Sequence, residues 1–157
     1  VYSEPAQGAT FRIYFPRHAG EEAGPAIARE PAEVRGGSET VLLVEDEDAL
    51  RELARRMLDD LGYRVITAES PAAALQAARR YPDEIHLLMS DVVMPGMNGR
   101  ELERQLKALR PPLKCLFMSG YTANVIAHHG ILDAGVHYLQ KPFSREALAA
   151  RLREALD

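Results

Sequence analysis

From Glu39 onward, short apolar runs alternate with stretches in which apolar residues recur every three or four positions. "TVLLV", residues 40–44, is a continuous apolar run of the kind buried on both faces, which predicts a strand of a parallel sheet. Leu50, Leu53, Ala54, Met57, Leu58 and Leu61 follow at helical spacing, and Gly62 stands where a helix C-terminus favours glycine. The next strand is "YRVITA", after which Ser70 and Pro71 offer an N-cap and a first helical residue for "AAALQAARR". "IHLLMSD" is a third strand, Leu102, Leu106 and Leu109 line a third helix, and "KCLFMSG" is a fourth strand. A helix is expected over residues 122 to 132, "VHYLQ" is the fifth strand, and Ser144 caps a last helix carrying Leu148, Leu152 and Leu156. Five strand-helix repeats predict an α/β fold, (βα)5: a doubly wound parallel five-stranded sheet with right-handed crossovers and helices on both faces. Ligands of such sheets bind at the carboxyl ends of the strands.

The first 38 residues have a different texture. Residues 1–16 end in "TFRIYFP", where Phe11, Ile13 and Phe15 alternate with Thr10, Arg12 and Tyr14 before Pro16, the pattern of a half-buried strand. So short a segment holds no partner for that strand. Residues 17–38, rich in Ala, Glu, Gly and Pro, lack a sustained apolar period and read as a linker, with some helix inside it left open.

Composition narrows the functional classes. A chain of 157 residues, 46% hydrophobic and 27% charged, accommodates one ordinary domain plus an appendage. A net charge of -4 gives no electrostatic reason to expect nucleic-acid or anionic-membrane binding. The one cysteine, Cys115, lies inside "CLFM" and reads as a small core residue; without an internal disulfide, a reducing cytoplasm fits. No apolar stretch approaches the roughly 20 residues needed to span a bilayer, and no signal-peptide pattern opens the chain. Because the chain begins with Val1, it reads as a piece of a longer protein whose parent is free to be membrane-anchored.

Reading the strand ends collects the candidate chemistry. The first strand ends in Glu45-Asp46, the third in Asp91, the fourth in Ser119-Gly120 and the fifth in Lys141-Pro142. After Asp91, "MPGMNG" turns the chain away and leaves the carboxylate reachable from solvent. Three carboxylates on one rim repel one another, and a hard divalent cation removes that conflict. Magnesium takes oxygen ligands and combines one or two carboxylates with phosphate oxygens. Lys141 and the Ser119 hydroxyl offer a charge and a hydrogen bond to a phosphoryl group, leaving Asp91 as the nucleophile. Taken singly, each residue has a plainer reading. Glu45-Asp46 would be an acidic helix start, Ser119 a turn former, Lys141 a solvated lysine and Tyr138 a half-buried strand aromatic. His128-His129 would be a solvated helix face, since adjacent helical residues point about 100° apart.

"LLVEDE", "LLMSDVVMPGMNG", "FMSGY" and "YLQKPF", in this order and spacing, resemble the response-regulator receiver family over residues 39–157. The resemblance implies a flavodoxin-like receiver fold with strand order 2-1-3-4-5 and a phosphoacceptor at Asp91. It implies Mg2+ bound by Glu45, Asp46, Asp91 and the backbone carbonyl of Val93. Ser119 would be the switch hydroxyl, Lys141 the phosphate-binding lysine and Tyr138 the aromatic that turns inward on activation, beside a cis peptide before Pro142. Glu45 stands where an aspartate is commoner, a small geometric change. Val93 and Tyr121 would flank the path of attacking water and tune the phosphoryl lifetime. The output face would comprise the helix over 122–132, the fifth strand and the last helix.

"SEPAQGATFRIYFPR" resembles the last strand of the histidine-kinase ATP-binding domain, with Gly8, Thr10, Phe11, Ile13 and Pro16 matching and Ala6 and Ala9 departing from its pattern. The implied order is a kinase remnant over 1–16, a linker over 17–38 and a receiver over 39–157, as in a hybrid sensor histidine kinase. The implied partners are a kinase histidine on the same polypeptide or its dimer mate and a histidine phosphotransfer protein, with no nucleic acid and no direct membrane contact; a homodimer is compatible. Two rivals stand beside this reading. One is a receiver that regulates its kinase by docking without phosphorylation, which the intact acidic set and Lys141 disfavour. The other is an aspartyl phosphatase, which needs a second aspartate shortly after the first; "VVMPG" follows Asp91 instead.

Overall fold

The computed structural model describes residues 2–4, 8–10, 12, 14, 35–120 and 136–157, and the chain divides into two units, Val1–Ala32 and Glu33–Asp157. In the first unit β1 (Tyr2–Glu4) pairs antiparallel with β2 (Gly8–Thr10), Tyr2 opposite Thr10 and Glu4 opposite Gly8. Of the described residues of the strand expected over "TFRIYFP", Thr10 belongs to β2, while Arg12 and Tyr14 are exposed and lie outside any strand. Phe11, Ile13 and Phe15 lie outside the described residues. β1 thus gives residues 8–10 a local partner that the alternation alone did not reveal, and the φ of 87° at Gly8 suits glycine.

The second unit comprises β3 (Thr40–Val44), α1 (Asp48–Asp60), β4 (Arg64–Ala68), α2 (Pro71–Arg80), β5 (Leu87–Asp91), α3 (Gly99–Leu109), β6 (Lys114–Ser119), β7 (His137–Gln140) and α4 (Arg145–Leu156). Its five parallel strands run in the order β4-β3-β5-β6-β7, the expected 2-1-3-4-5 when counted from β3. Alternate residues of each strand enter opposite cores. Leu42, Val44, Leu88, Cys115 and Phe117 pack with Ala74, Leu75, Leu102 and Leu106 of α2 and α3. Val41, Leu43, Met89, Leu116 and Met118 pack with Ala54 and Leu58 of α1 and Leu148 and Leu152 of α4. Burying each of these large side chains contributes about 2 kcal/mol, which fixes the sheet as a rigid platform.

Helix ends follow the expected chemistry. The Ser70 hydroxyl accepts from the Ala73 amide at 3.2 Å and the Ser144 hydroxyl from the Ala147 amide at 3.2 Å. At the end of α1 the Gly62 amide donates to Asp59 O (2.9 Å) and the Tyr63 amide to Leu58 O (3.1 Å), a Schellman motif closed by Gly62 at φ 90°. Leu53 and Leu109 depart from expectation, being 50% and 45% exposed. The stripe that meets the sheet is narrower than the apolar spacing suggests, and Ala54, Leu58, Leu102 and Leu106 fill it. Gly36 and Gly37 lead into β3 against the end of α1: the Gly37 amide donates to Leu61 O (3.1 Å), and a Cβ on Gly36 would lie 2.0 Å from that oxygen. Residues 17–34 of the expected linker and the helix expected over 122–132 lie outside the described residues. No helix among the described residues is long and apolar enough to cross a membrane.

Candidate functional site

Four of the five strands deliver polar groups to the rim at their carboxyl ends. β3 passes directly into Glu45, 2% exposed, and the exposed Asp46. β5 ends on Asp91, and the following turn is shaped by glycine twice. Gly96 adopts φ 82°, and a Cβ on Gly99 would lie 2.5 Å from the Asp91 carbonyl oxygen and 3.1 Å from the Phe117 ring. Asn98 caps α3 by accepting from the Glu101 amide at 2.8 Å, so the helix starts directly behind the aspartate. β6 ends on Ser119, 1% exposed. One residue beyond β7, Lys141 donates its amide to Ser119 O at 2.8 Å and precedes a cis peptide to Pro142.

These ends converge. The Lys141 ammonium lies 2.5 Å from Glu45 Oε2 and 2.8 Å from Asp91 Oδ2. Asp91 Oδ1 accepts from the Val93 amide at 3.3 Å. One carboxylate oxygen each from Glu45, Asp46 and Asp91 can be chosen so that all lie within 4.8 Å of one another. Burial pushes the Glu45 carboxyl above the usual range; Lys141 opposes that shift and the charge of Asp91 adds to it. Burial acts to lower Lys141, but hydrogen bonds and charges from Asp91 and Glu45 outweigh it, and the ammonium is held above its ordinary value. Three carboxylates facing one lysine leave an excess of negative charge on a partly dry rim. An oxygen-only donor set of this kind fits a hard divalent cation such as Mg2+.

Beside this centre, the Tyr138 hydroxyl donates to the Ser119 carbonyl at 3.1 Å, and burial raises its phenol. The rim therefore brings together Glu45, Asp46, Asp91 and Lys141, with Ser119 and Tyr138 joined to one another alongside. Val93 exposes 57% of its surface next to Asp91. Tyr121, His128 and His129 lie outside the described residues. Cys115 is a buried free thiol whose pKa burial raises well above the ordinary value, in keeping with a core residue. One neighbour went unread in the sequence: Arg51 of α1 donates from Nη1 to the Glu45 carbonyl at 2.7 Å. Its only sequence signal is a basic residue three positions after Asp48 in a helix start.

The family profile described as "Response regulator receiver domain" matches residues 41–153. Sensor kinase CckA of Brucella abortus (strain 2308) is 40% identical over an alignment covering 99% of this chain and 17% of that protein. The chain spans about half the length of several other curated relatives. The crystal structure of the receiver domain from hybrid histidine kinase CckA superposes with a TM-score of 0.63 at 36% identity, covering 75% of this chain and 99% of that one. Chemotaxis protein CheY4 of Vibrio cholerae gives a TM-score of 0.67 at 28% identity, with 76% and 100% covered.

Proposed function

Because this chain belongs to the response regulator receiver family of two-component systems, we propose that it takes a phosphoryl group from a phosphohistidine onto Asp91, as the receiver of a hybrid sensor histidine kinase. The observation that carries this reading is the Lys141 ammonium lying between Asp91 Oδ2 and Glu45 Oε2 on a rim of three converging carboxylates.

In the transfer, an oxygen of Asp91 attacks phosphorus, an O–P bond forms, the P–N bond breaks, and its electron pair returns to the imidazole nitrogen. Lys141 exchanges part of its contact with Asp91 for the phosphoryl oxygens, and the Ser119 hydroxyl donates to another of them. Glu45, Asp46, Asp91 and the Val93 carbonyl would hold Mg2+, which would supply neutralising charge for the transferring group. Movement of Ser119 towards the phosphoryl group acts on Tyr138 through the contact between that hydroxyl and the Ser119 carbonyl, and so alters the face of β7 and α4. Val93 and Tyr121 tune hydrolysis of the aspartyl phosphate: a Tyr121→Ala variant is expected to shorten the phosphoryl half-life.

The wider context rests on the likeness to CckA over nearly the whole chain and on the strand-like N-terminus. Residues 1–16 are a remnant of a kinase ATP-binding domain, 17–38 a linker, and 39–157 the receiver. A linker between the two keeps the receiver at high effective concentration near a kinase histidine of its own polypeptide or dimer mate. From Asp91 the phosphoryl group either returns to the kinase histidine, passes to a histidine phosphotransfer protein, or is slowly hydrolysed.

Incubation with acetyl phosphate and Mg2+, read by intact mass, tests the central step. One adduct in the wild-type protein, dependent on Mg2+ and absent in Asp91→Asn, is expected. No adduct, together with no response to beryllofluoride, would overturn the reading in favour of a docking module.

A further inference from the structure

We propose that Arg51 is a positioning residue for the cation site: by holding the main-chain carbonyl of Glu45, it fixes the Glu45-Asp46 peptide so that both carboxylates meet Asp91. This rests on the assignment of Glu45, Asp46 and Asp91 as the cation ligands.

Besides Arg51, the segment between β3 and α1 is fastened by the Glu47 amide, which donates to Glu45 Oε1 at 3.4 Å, and by two main-chain bonds. The Glu45 amide makes a bond to Ala68 O at 3.2 Å, and the first helical bond runs from the Arg51 amide to Glu47 O at 2.9 Å. Glu47, the N-cap, is extended (φ −84°, ψ 114°), and its side chain makes no capping bond among the described residues. Into this stretch Arg51 reaches back one turn. Its Nη1 donates to Glu45 O at 2.7 Å while Nη2 pairs with Asp48. The Arg51 side chain is only 18% exposed, against 90% for Asp48.

The charge of Arg51 is paired with Asp48, but it does not favour a divalent ion at the rim. A guanidinium in the first turn of a helix opposes the helix dipole, and a positive charge beside the rim repels a divalent ion. What Arg51 offers is a planar fork that grips a carbonyl and a carboxylate together, which an ammonium does not reproduce. Engaging the Glu45 carbonyl fixes the peptide that leads into Asp46, and leaves the carboxylates to serve as ligands. Residues that orient ligands in this way change metal affinity by about 10- to 100-fold when lost.

Positioning and charge predict opposite signs, so Mg2+ titration by calorimetry on the unphosphorylated protein separates them. Wild type, Arg51→Met and Arg51→Lys are compared, with Arg56→Met as a control on the same helix at a 70% exposed side chain. If Arg51 positions the ligands, both Arg51 variants bind Mg2+ about tenfold or more weakly, Arg56→Met is unchanged, and saturating Mg2+ restores adduct formation. Tighter binding in Arg51→Met with Arg51→Lys at the wild-type level, or unchanged affinity in both, would overturn the proposal. Asp48→Ala releases the second grip at an exposed position without disturbing the core; a loss of affinity that persists in about 1 M KCl, where the deleted charge is screened, supports the proposal, and no loss, or one that salt abolishes, counts against it even if an Arg51 variant fails to fold. A wild-type protein that binds no Mg2+ and forms no adduct would instead remove the ligand assignment on which the proposal rests.

Discussion

Two glutamates bracket one strand and meet opposite fates. Glu39 precedes β3 and pairs with Arg153 at 2.6 Å, while Glu45 follows β3 and pairs with Lys141 at 2.5 Å. For Glu39, burial acts to raise the carboxyl, but the hydrogen bond and charge of Arg153, with backbone donors, outweigh it and hold it below the usual range. For Glu45, burial wins and the carboxyl is held above it, with Asp91 adding to the shift. Exposure accounts for the difference: the Glu39 side chain is 25% exposed and Glu45 only 3%. A near-identical contact thus closes one end of the strand as an ion pair and leaves the other end short of positive charge. The first arrangement serves stability; the second suits the cation and phosphoryl group of the proposed function.

Lys141→Met breaks this contrast most severely. Adduct formation from acetyl phosphate is expected to slow by about 10²-fold. The metal-free protein, left with Glu45 and Asp91 facing each other, loses about 3 kcal/mol in urea melts, and millimolar Mg2+ should restore part of it. Arg153→Ala strikes the opposite end. It removes the Glu39 pair and a guanidinium 5.8 Å from the Tyr63 ring centroid, at a cost of about 2 kcal/mol, with an unchanged rate of adduct formation. The cost stays modest because Glu39 Oε2, Tyr63 OH and Arg153 Nε already lack hydrogen-bond partners among the described residues. Glu45→Gln sharpens the comparison by inverting the usual sign of a mutation. Without metal at pH 7.5 it is expected to raise the melting temperature by about 3 °C while weakening Mg2+ binding.

The smallest effect is the pH dependence, and the two ends carry opposite signs. Glu39 has a folded pKa below its unfolded value of about 4.3. Its contribution is present above that pH and lost as pH falls through the folded pKa. Glu45 has a folded pKa above its unfolded value, so its contribution is present below about pH 4.3 and lost as pH rises through the folded pKa. Metal-free melting curves should therefore gain a component on mild acidification that Glu45→Gln removes, and lose a component at lower pH that Glu39→Gln removes.

Much of this frame was legible before any coordinates. "TVLLV" and "HLLM" announce strands buried on both faces, Ser70 and Ser144 announce helix starts, and Gly62 a helix end, because each signal depends on neighbours within a few residues. Leu53 and Leu109 were misread because helical spacing marks a stripe without revealing how wide a strip the sheet covers. Gly99 was legible as part of a turn, but its need for a bare Cα came from the Asp91 carbonyl and the Phe117 ring behind it. Arg110, whose guanidinium binds the carbonyls of Ala78, Tyr81 and Asp83 at the end of α2, carried no pattern at all.

Over residues 40–120 and 136–157 the sequence by itself determined the order of strands and helices, the two-faced sheet and the chemical identity of each strand end, since apolar periodicity and capping are local properties. Only the tertiary structure decided which charges meet. Lys141 stands 96 residues from Glu45 and 50 from Asp91, and the burial that turns one glutamate into a stabilising ion pair and the other into a carboxylate short of a cation exists only once the sheet has closed around it.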